Sequence, residues 1–185
     1  MRIAILSDIH DQVWKLAAAL EGVLGTDVLI CCGDLCSPFI VHQMARGFGG
    51  PIHIVFGNND GDLFRITANA QKYRQVRIHG EFLRTEFDRR WVAAQHYDNM
   101  GRAIAASGEF DVVLFGHNHV YEKGRAGRTL VINPGSIMGA TFAPDGSRTD
   151  VDATFAIYDT AADEATGYRI VPGADGGWSV ESIQE

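Results

Sequence analysis

Runs of branched apolar residues recur along the chain, and each one stops abruptly at a polar residue. Ile3–Leu6 stops at Ser7-Asp8, Val28–Cys32 at Gly33-Asp34, and Ile52–Phe56 at Gly57-Asn58-Asn59-Asp60. Trp91–Gln95 stops at His96, Val112–Phe115 at Gly116-His117-Asn118-His119, and Thr129–Ile132 at Asn133-Pro134-Gly135-Ser136. Short runs that are apolar on both faces read as buried strands of a largely parallel sheet. Val13, Leu16, Ala17, Leu20 and Leu24 recur at helical spacing, which predicts a helix over 12–24 with Asp11 placed to cap it and Gly25 to end it. Pro38 suits the first turn of a second helix over 38–47, and 62–73 and 98–107 read as two more. Strand, helix, strand, helix, strand predicts parallel pairing through right-handed crossovers.

Val76–His79 and Phe82–Phe87 are expected to pair antiparallel around His79-Gly80. Ala153–Tyr158, Ala165–Val171 and Trp178–Ile183, separated by turn residues, predict an antiparallel meander. Residues 139–152 read as a long polar loop, suited to a mobile flap or an oligomer contact. The expected fold class is α/β: two packed mixed sheets flanked by helices, in one domain over 1–185.

The totals narrow the function classes. With 46% hydrophobic residues in 185, the chain can bury a full core. The formal charge of −7 comes with no Lys/Arg block, which argues against a nucleic-acid surface. No apolar run reaches membrane-spanning length and no signal-peptide pattern is present, so a cytoplasmic location is expected. Cys31, Cys32 and Cys36 lack metal-type pair spacing and read as reduced thiols.

The strand ends carry the chemistry. Asp8-x-His10, Gly33-Asp34, Gly57-Asn58, His96 and Gly116-His117-x-His119 gather two carboxylates, one amide oxygen and four imidazoles at one rim. In open α/β sheets, ligands collect beyond the carboxyl ends of strands. Seven N/O donors are too many for one tetrahedral zinc and suit two divalent cations. In an extended chain, Asp8 and His10 point the same way, as do His117 and His119. The glycines at 33, 57 and 116 let the backbone turn and a ligand approach.

These blocks, in this order from residue 2 to about 136, resemble the calcineurin-like metallophosphoesterase family. More narrowly they are similar to its small, capless YfcE- and MJ0936-like phosphodiesterases, a scaffold shared with the retromer subunit Vps29. The resemblance implies a four-layer sandwich without a cap domain. It implies one cation on Asp8, His10 and His119, a second on Asn58, His96 and His117, and Asp34 bridging both. Mn²⁺ is the foremost expectation, with Ni²⁺, Fe²⁺, Zn²⁺ or Mg²⁺ compatible with N/O donors. The implied reaction is in-line attack of a metal-bound hydroxide on a small phosphodiester. The alternatives are a non-catalytic scaffold and a nucleotide or phosphate monoesterase. A homo-dimer or tetramer is implied by the family alone.

Two positions depart from the wider family. Asn59 stands where many members have a histidine; its amide can donate a hydrogen bond to a phosphoryl oxygen but cannot deliver a proton. Activity is therefore expected on diesters with acidic leaving groups. Tyr97 stands where glycine is common, either narrowing the pocket mouth, stacking on a substrate ring, or packing half-buried at the strand end. His42, His53 and His79 read as histidines without a role, Trp14 and Phe39 as core or rim packing residues or as lining of a substrate cleft, and Asp60 and Asp62 as either orienting groups or helix caps.

Overall fold

The computed structural model describes residues 1–174 and 176–184. The chain opens with β1 (Arg2–Leu6), α1 (Val13–Gly22), β2 (Val28–Cys31), α2 (Phe39–Gly47), β3 (Ile52–Ile54), α3 (Leu63–Ala70) and β4 (Val76–Ile78). A second series follows: β5 (Leu83–Phe87), β6 (Arg90–Ala94), α4 (Asp98–Ala106), β7 (Val112–Leu114), β8 (Tyr121–Ala126) and β9 (Thr129–Pro134). The hairpin β10 (Ala140–Phe142) and β11 (Arg148–Asp150) leads to β12 (Ala153–Asp159), β13 (Glu164–Pro172) and β14 (Trp178–Ser182).

Two mixed sheets result. The larger has the order β14-β13-β12-β1-β2-β3-β4, parallel from β1 to β4 and antiparallel from β1 out to β14. The smaller has the order β5-β6-β7-β9-β8, with β6, β7 and β9 parallel. Strand alternation assigns each layer its residues. In β1, Ala4 and Leu6 pack beneath α1, α2 and α3, whereas Ile3 and Ile5 face the other sheet. The layer between the sheets is built from Ile3, Ile5, Val28, Ile30, Cys32, Val92, Val112, Leu114, Ile132 and Tyr158. A third cluster, Ala93, Val113, Val131 and Phe115, lies under α4. The order is helices, sheet, sheet, helix, as the strand and helix patterning predicts.

Three local expectations are corrected, and one further strand escapes the pattern. β4 pairs parallel with β3, Ile52 opposite Val76, and does not pair with β5. The chain leaves the larger sheet at Gly80, so the apparent hairpin is the crossover between sheets. The stretch 139–152 contains the β10–β11 hairpin, with Thr141 opposite Thr149. Its strands are largely solvent-exposed, so no apolar face announces them. β8, a half-buried edge strand with polar positions, is also absent from the apolar pattern. Helix α1 begins after Gln12, and no side chain caps it. Asp11, at φ 59°, turns instead toward the β2–α2 loop and accepts from the Ser37 amide at 3.0 Å and hydroxyl at 2.6 Å. Among the described residues no helix is long and apolar enough to cross a membrane.

Candidate metal centre

The loops after β1, β2 and β3 meet those after β6 and β7 at one rim. The larger sheet delivers Asp8, His10, Asp34 and Asn58; the smaller delivers His96, His117 and His119. All seven predicted ligands converge. His119 Nε2 lies 3.1 Å and His10 Nε2 3.8 Å from Asp8 Oδ1. Asp34 Oδ2 sits between two imidazoles, 3.4 Å from His10 Nε2 and 3.5 Å from His96 Nε2. His96 Nε2 also faces Asn58 Oδ1 at 2.9 Å and His117 Nδ1 at 3.2 Å. The rings fall into two pairs, His10 with His119 (centroids 5.1 Å apart) and His96 with His117 (5.0 Å).

The backbone achieves this differently from the extended geometry expected. Asp8, His10, Asp34, His117 and His119 all have positive φ, between 44° and 72°. Each such non-glycine conformation costs on the order of 1–3 kcal/mol, and clusters of them mark functional sites. The turns are held by the chain itself. The Asp8 amide donates to the Gly33 carbonyl at 3.0 Å, and the Ile9 and His10 amides donate to that of Asp34 at 2.9 and 3.1 Å. The His117 amide donates to Asp8 Oδ2 at 3.0 Å. The Met138 amide and Ser136 hydroxyl donate to the Asp8 carbonyl, so the Asn133–Ser136 turn also secures the rim. All three rim glycines are sterically required: a Cβ at Gly33, itself at φ 100°, would stand 2.7 Å from the Gly57 amide nitrogen, one at Gly57 would stand 2.2 Å from Asp34 Oδ1, and one at Gly116 would stand 1.9 Å from the Ser7 hydroxyl.

Asp8 and Asp34 are 0% and 1% exposed. Buried carboxylates demand compensating positive charge. Burial pushes the Asp8 carboxyl up, but the adjoining His10 and His119 rings and the nearby imidazole charges outweigh it and hold it well below the usual range. Burial likewise pushes His119 down, while Asp8 raises it past its ordinary value. Asp8 Oδ1 and His10 Nε2 are buried without a hydrogen-bond partner among the described residues. Asp8, His10 and His119 form one grouping of metal-ligand type, and Asp8, Asp34 and His96 another. Orphaned donor atoms directed at a common centre, in an N/O set, fit divalent cations.

The surrounding contacts orient this set. The outer ring nitrogens of His96 and His119 meet the Cys32 and Ala140 carbonyls, leaving Nε2 to face the carboxylates. Cys36 Sγ approaches His10 Nδ1 at 3.4 Å. Asn59 faces inward: its amide and side-chain nitrogens donate to the two oxygens of Asp34, both at 2.8 Å. Asp60 accepts from the amides of Gly57, Cys36 and Asp34 at 2.8, 2.9 and 3.0 Å, tying the second and third ligand loops together. Its orienting role is thereby resolved, and Asp62 is the cap, accepting from the Arg65 amide at 3.0 Å. Tyr97 packs edge-on against His96 and His117.

The open face is a cleft of about 470 Å³ lined by His10, Asp34, Asn58, Asn59, His117, Asn118, His119, Thr141 and Phe142. Sequence patterning missed Thr141 and Phe142, which stand on the unforeseen hairpin. A larger groove of about 650 Å³ between α1 and α2 contains Phe39 but no grouping of metal ligands among the described residues; candidate ligands line the smaller cleft. Trp14 is 74% exposed and lines neither.

Comparisons with known proteins identify the family and the fold. Residues 1–163 match the profile of the calcineurin-like phosphoesterase superfamily domain. Phosphodiesterase MJ0936 of Methanocaldococcus jannaschii is 29% identical over 143 residues, covering 75% of this chain and 86% of that protein. A solved archaeal phosphodiesterase superimposes with a TM-score of 0.76 at 27% identity, covering 91% of this chain and 99% of the other. Wild-type Vps29 from Entamoeba histolytica, complexed with Zn²⁺, shares the fold at a TM-score of 0.64 and 17% identity, covering 99% and 98%.

Proposed function

The chain belongs to the calcineurin-like phosphoesterase superfamily, and from that footing we propose that it is a binuclear metal-dependent phosphodiesterase. The observation that carries the reading is the convergence of two fully buried carboxylates, four imidazoles and one amide oxygen, with Asp34 within 3.5 Å of an imidazole from each half. Asp8, His10 and His119 would hold one cation, Asn58, His96 and His117 the other, and Asp34 both. Two divalent cations, Mn²⁺ foremost, would supply water activated near neutral pH and positive charge against the phosphoryl oxygens. The protein's own part is to fix the donors in place. The Cys32 and Ala140 carbonyls set the imidazole orientation, and Asn59 and Asp60 hold the Asp34 loop. Asn59 offers a hydrogen bond but no proton, which favours diesters whose leaving groups depart as anions.

A scaffold role is the second reading, and the likeness to Vps29 favours it. Metal uptake does not separate the two, because that Vps29 was itself solved with Zn²⁺. Turnover does. Bis(p-nitrophenyl) phosphate and p-nitrophenyl phosphate are supplied to the Mn²⁺-loaded protein, with and without chelator. Chelator-sensitive hydrolysis that prefers the diester is expected. Metal-loaded protein that turns over neither compound overturns the catalytic reading in favour of the scaffold.

A further inference from the structure

The β10–β11 hairpin borders the cleft with an aromatic ring. Phe142 lines it and remains 55% exposed. The hairpin is anchored at its base: the Ala140 carbonyl accepts from His119 Nδ1, the Val151 amide donates to Gly139 at 3.2 Å, and Lys15 Nζ donates to Met138 at 2.7 Å. The tip is closed by the Ala143 amide on the Ser147 carbonyl at 2.9 Å. Ala140, at the root, is buried. A ring held on such a support keeps its place beside the cleft, and water covers it until another flat group does.

The rest of the lining says what that group is. Apart from Phe142, the cleft wall consists of imidazoles, amides, one carboxylate and one hydroxyl. No Lys or Arg lines it among the described residues. Arg148, opposite Phe142 in the hairpin, is paired with Asp150 at 2.7 Å. A second phosphate or a free carboxylate would find no fixed cation on this wall, whereas an aromatic ring finds a stacking face. Resting on the phosphodiesterase reading, we propose that Phe142 is a specificity-determining residue and that the substrate is a monoanionic phosphodiester carrying an aromatic or heteroaromatic ring. The phosphoryl group lies toward Asp34 and the imidazoles, and the ring of one esterified group lies on Phe142.

Binding tests this separately from turnover. Diphenyl phosphate and diethyl phosphate are titrated calorimetrically into the full Mn²⁺-loaded chain, as wild type and as Phe142→Ala, Phe142→Leu and Phe142→Trp. Diphenyl phosphate binds the wild type more tightly. Phe142→Ala and Phe142→Leu weaken it by about threefold to tenfold, Phe142→Trp does not, and diethyl phosphate responds to none of them. Equal affinity of the two diesters for the wild type, equal loss of both in the variants, or an unchanged diphenyl affinity in Phe142→Leu overturns the proposal. Failure of the catalytic reading registers elsewhere, as absent hydrolysis of bis(p-nitrophenyl) phosphate by wild type. Phe142 is mostly in solvent, so unchanged melting temperatures are expected for all three variants.

Discussion

The two sheets make unequal contributions to the rim. The larger one brings both carboxylates and the single amide oxygen, together with one imidazole; the smaller one brings imidazoles alone. Neither collects enough donors to coordinate two divalent cations. The candidate centre therefore belongs to the joint between them, and the apolar layer that holds the sheets together is as much a condition of ion binding as the ligands are.

Asp34→Asn strikes hardest at this arrangement, because one side chain serves both halves. We expect hydrolysis of bis(p-nitrophenyl) phosphate to fall by at least about 100-fold, with both cations lost by elemental analysis. His117→Ala, from the smaller sheet, should leave one cation per chain. Loss of both there would dissolve the division between the halves.

The joint itself can be loosened without touching a ligand. Ile30 is fully buried between the sheets, and Ile66, on α3, is fully buried against the larger sheet's other face. Each change to alanine should cost about 2–5 kcal/mol by urea denaturation. Only Ile30→Ala should also weaken Mn²⁺ binding in chelator competition. Equal effects of the two on Mn²⁺ would show that the inter-sheet layer has no special part.

The smallest expected effect lies at the joint's edge. His53 of β3 stacks on His79 with Nδ1 and Nε2 2.9 Å apart, and the Phe87 ring of β5 meets it edge-on at 5.4 Å. Burial, then His79 and Arg77, push His53 down to about 4, and burial also lowers His79. The unfolded chain therefore takes up a proton at higher pH than the folded one. Stability is complete above the ordinary histidine value of about 6.5. It declines as pH falls from there toward 4, and is flat in this respect below. The urea midpoint measured across that window should drop, and His53→Gln should shallow the slope.

Much of this was legible in the sequence, for a physical reason. Buried strands are apolar throughout, so Asp8, Asp34, Asn58, His96 and His117 at their ends stand out against them. What escaped was whatever depended on contacts remote in sequence. Asp11 looks like a cap until Ser37 arrives from the next loop. Val76–Ile78 looks like half of a hairpin because its true partner, Ile52–Ile54, lies a helix away. The β10–β11 hairpin, largely exposed on both faces, gives no alternation to read, and so nothing in the sequence singles out Phe142. The positive φ angles left no trace beyond the neighbouring glycines, and extended spacing predicted the right convergence by the wrong route.

Those left-handed turns have a thermodynamic corollary. Because the Asp8 and His10 amides bonded to the Gly33 and Asp34 carbonyls, and the His117 amide bonded to the Asp8 carboxylate, already fix them, the receptacle is finished when the polypeptide finishes folding. An arriving ion orders little that was loose. Its entry should accordingly register as a modest heat-capacity change and a nearly unaltered amide exchange pattern, with the conformational work done long before by the collapse of the two sheets.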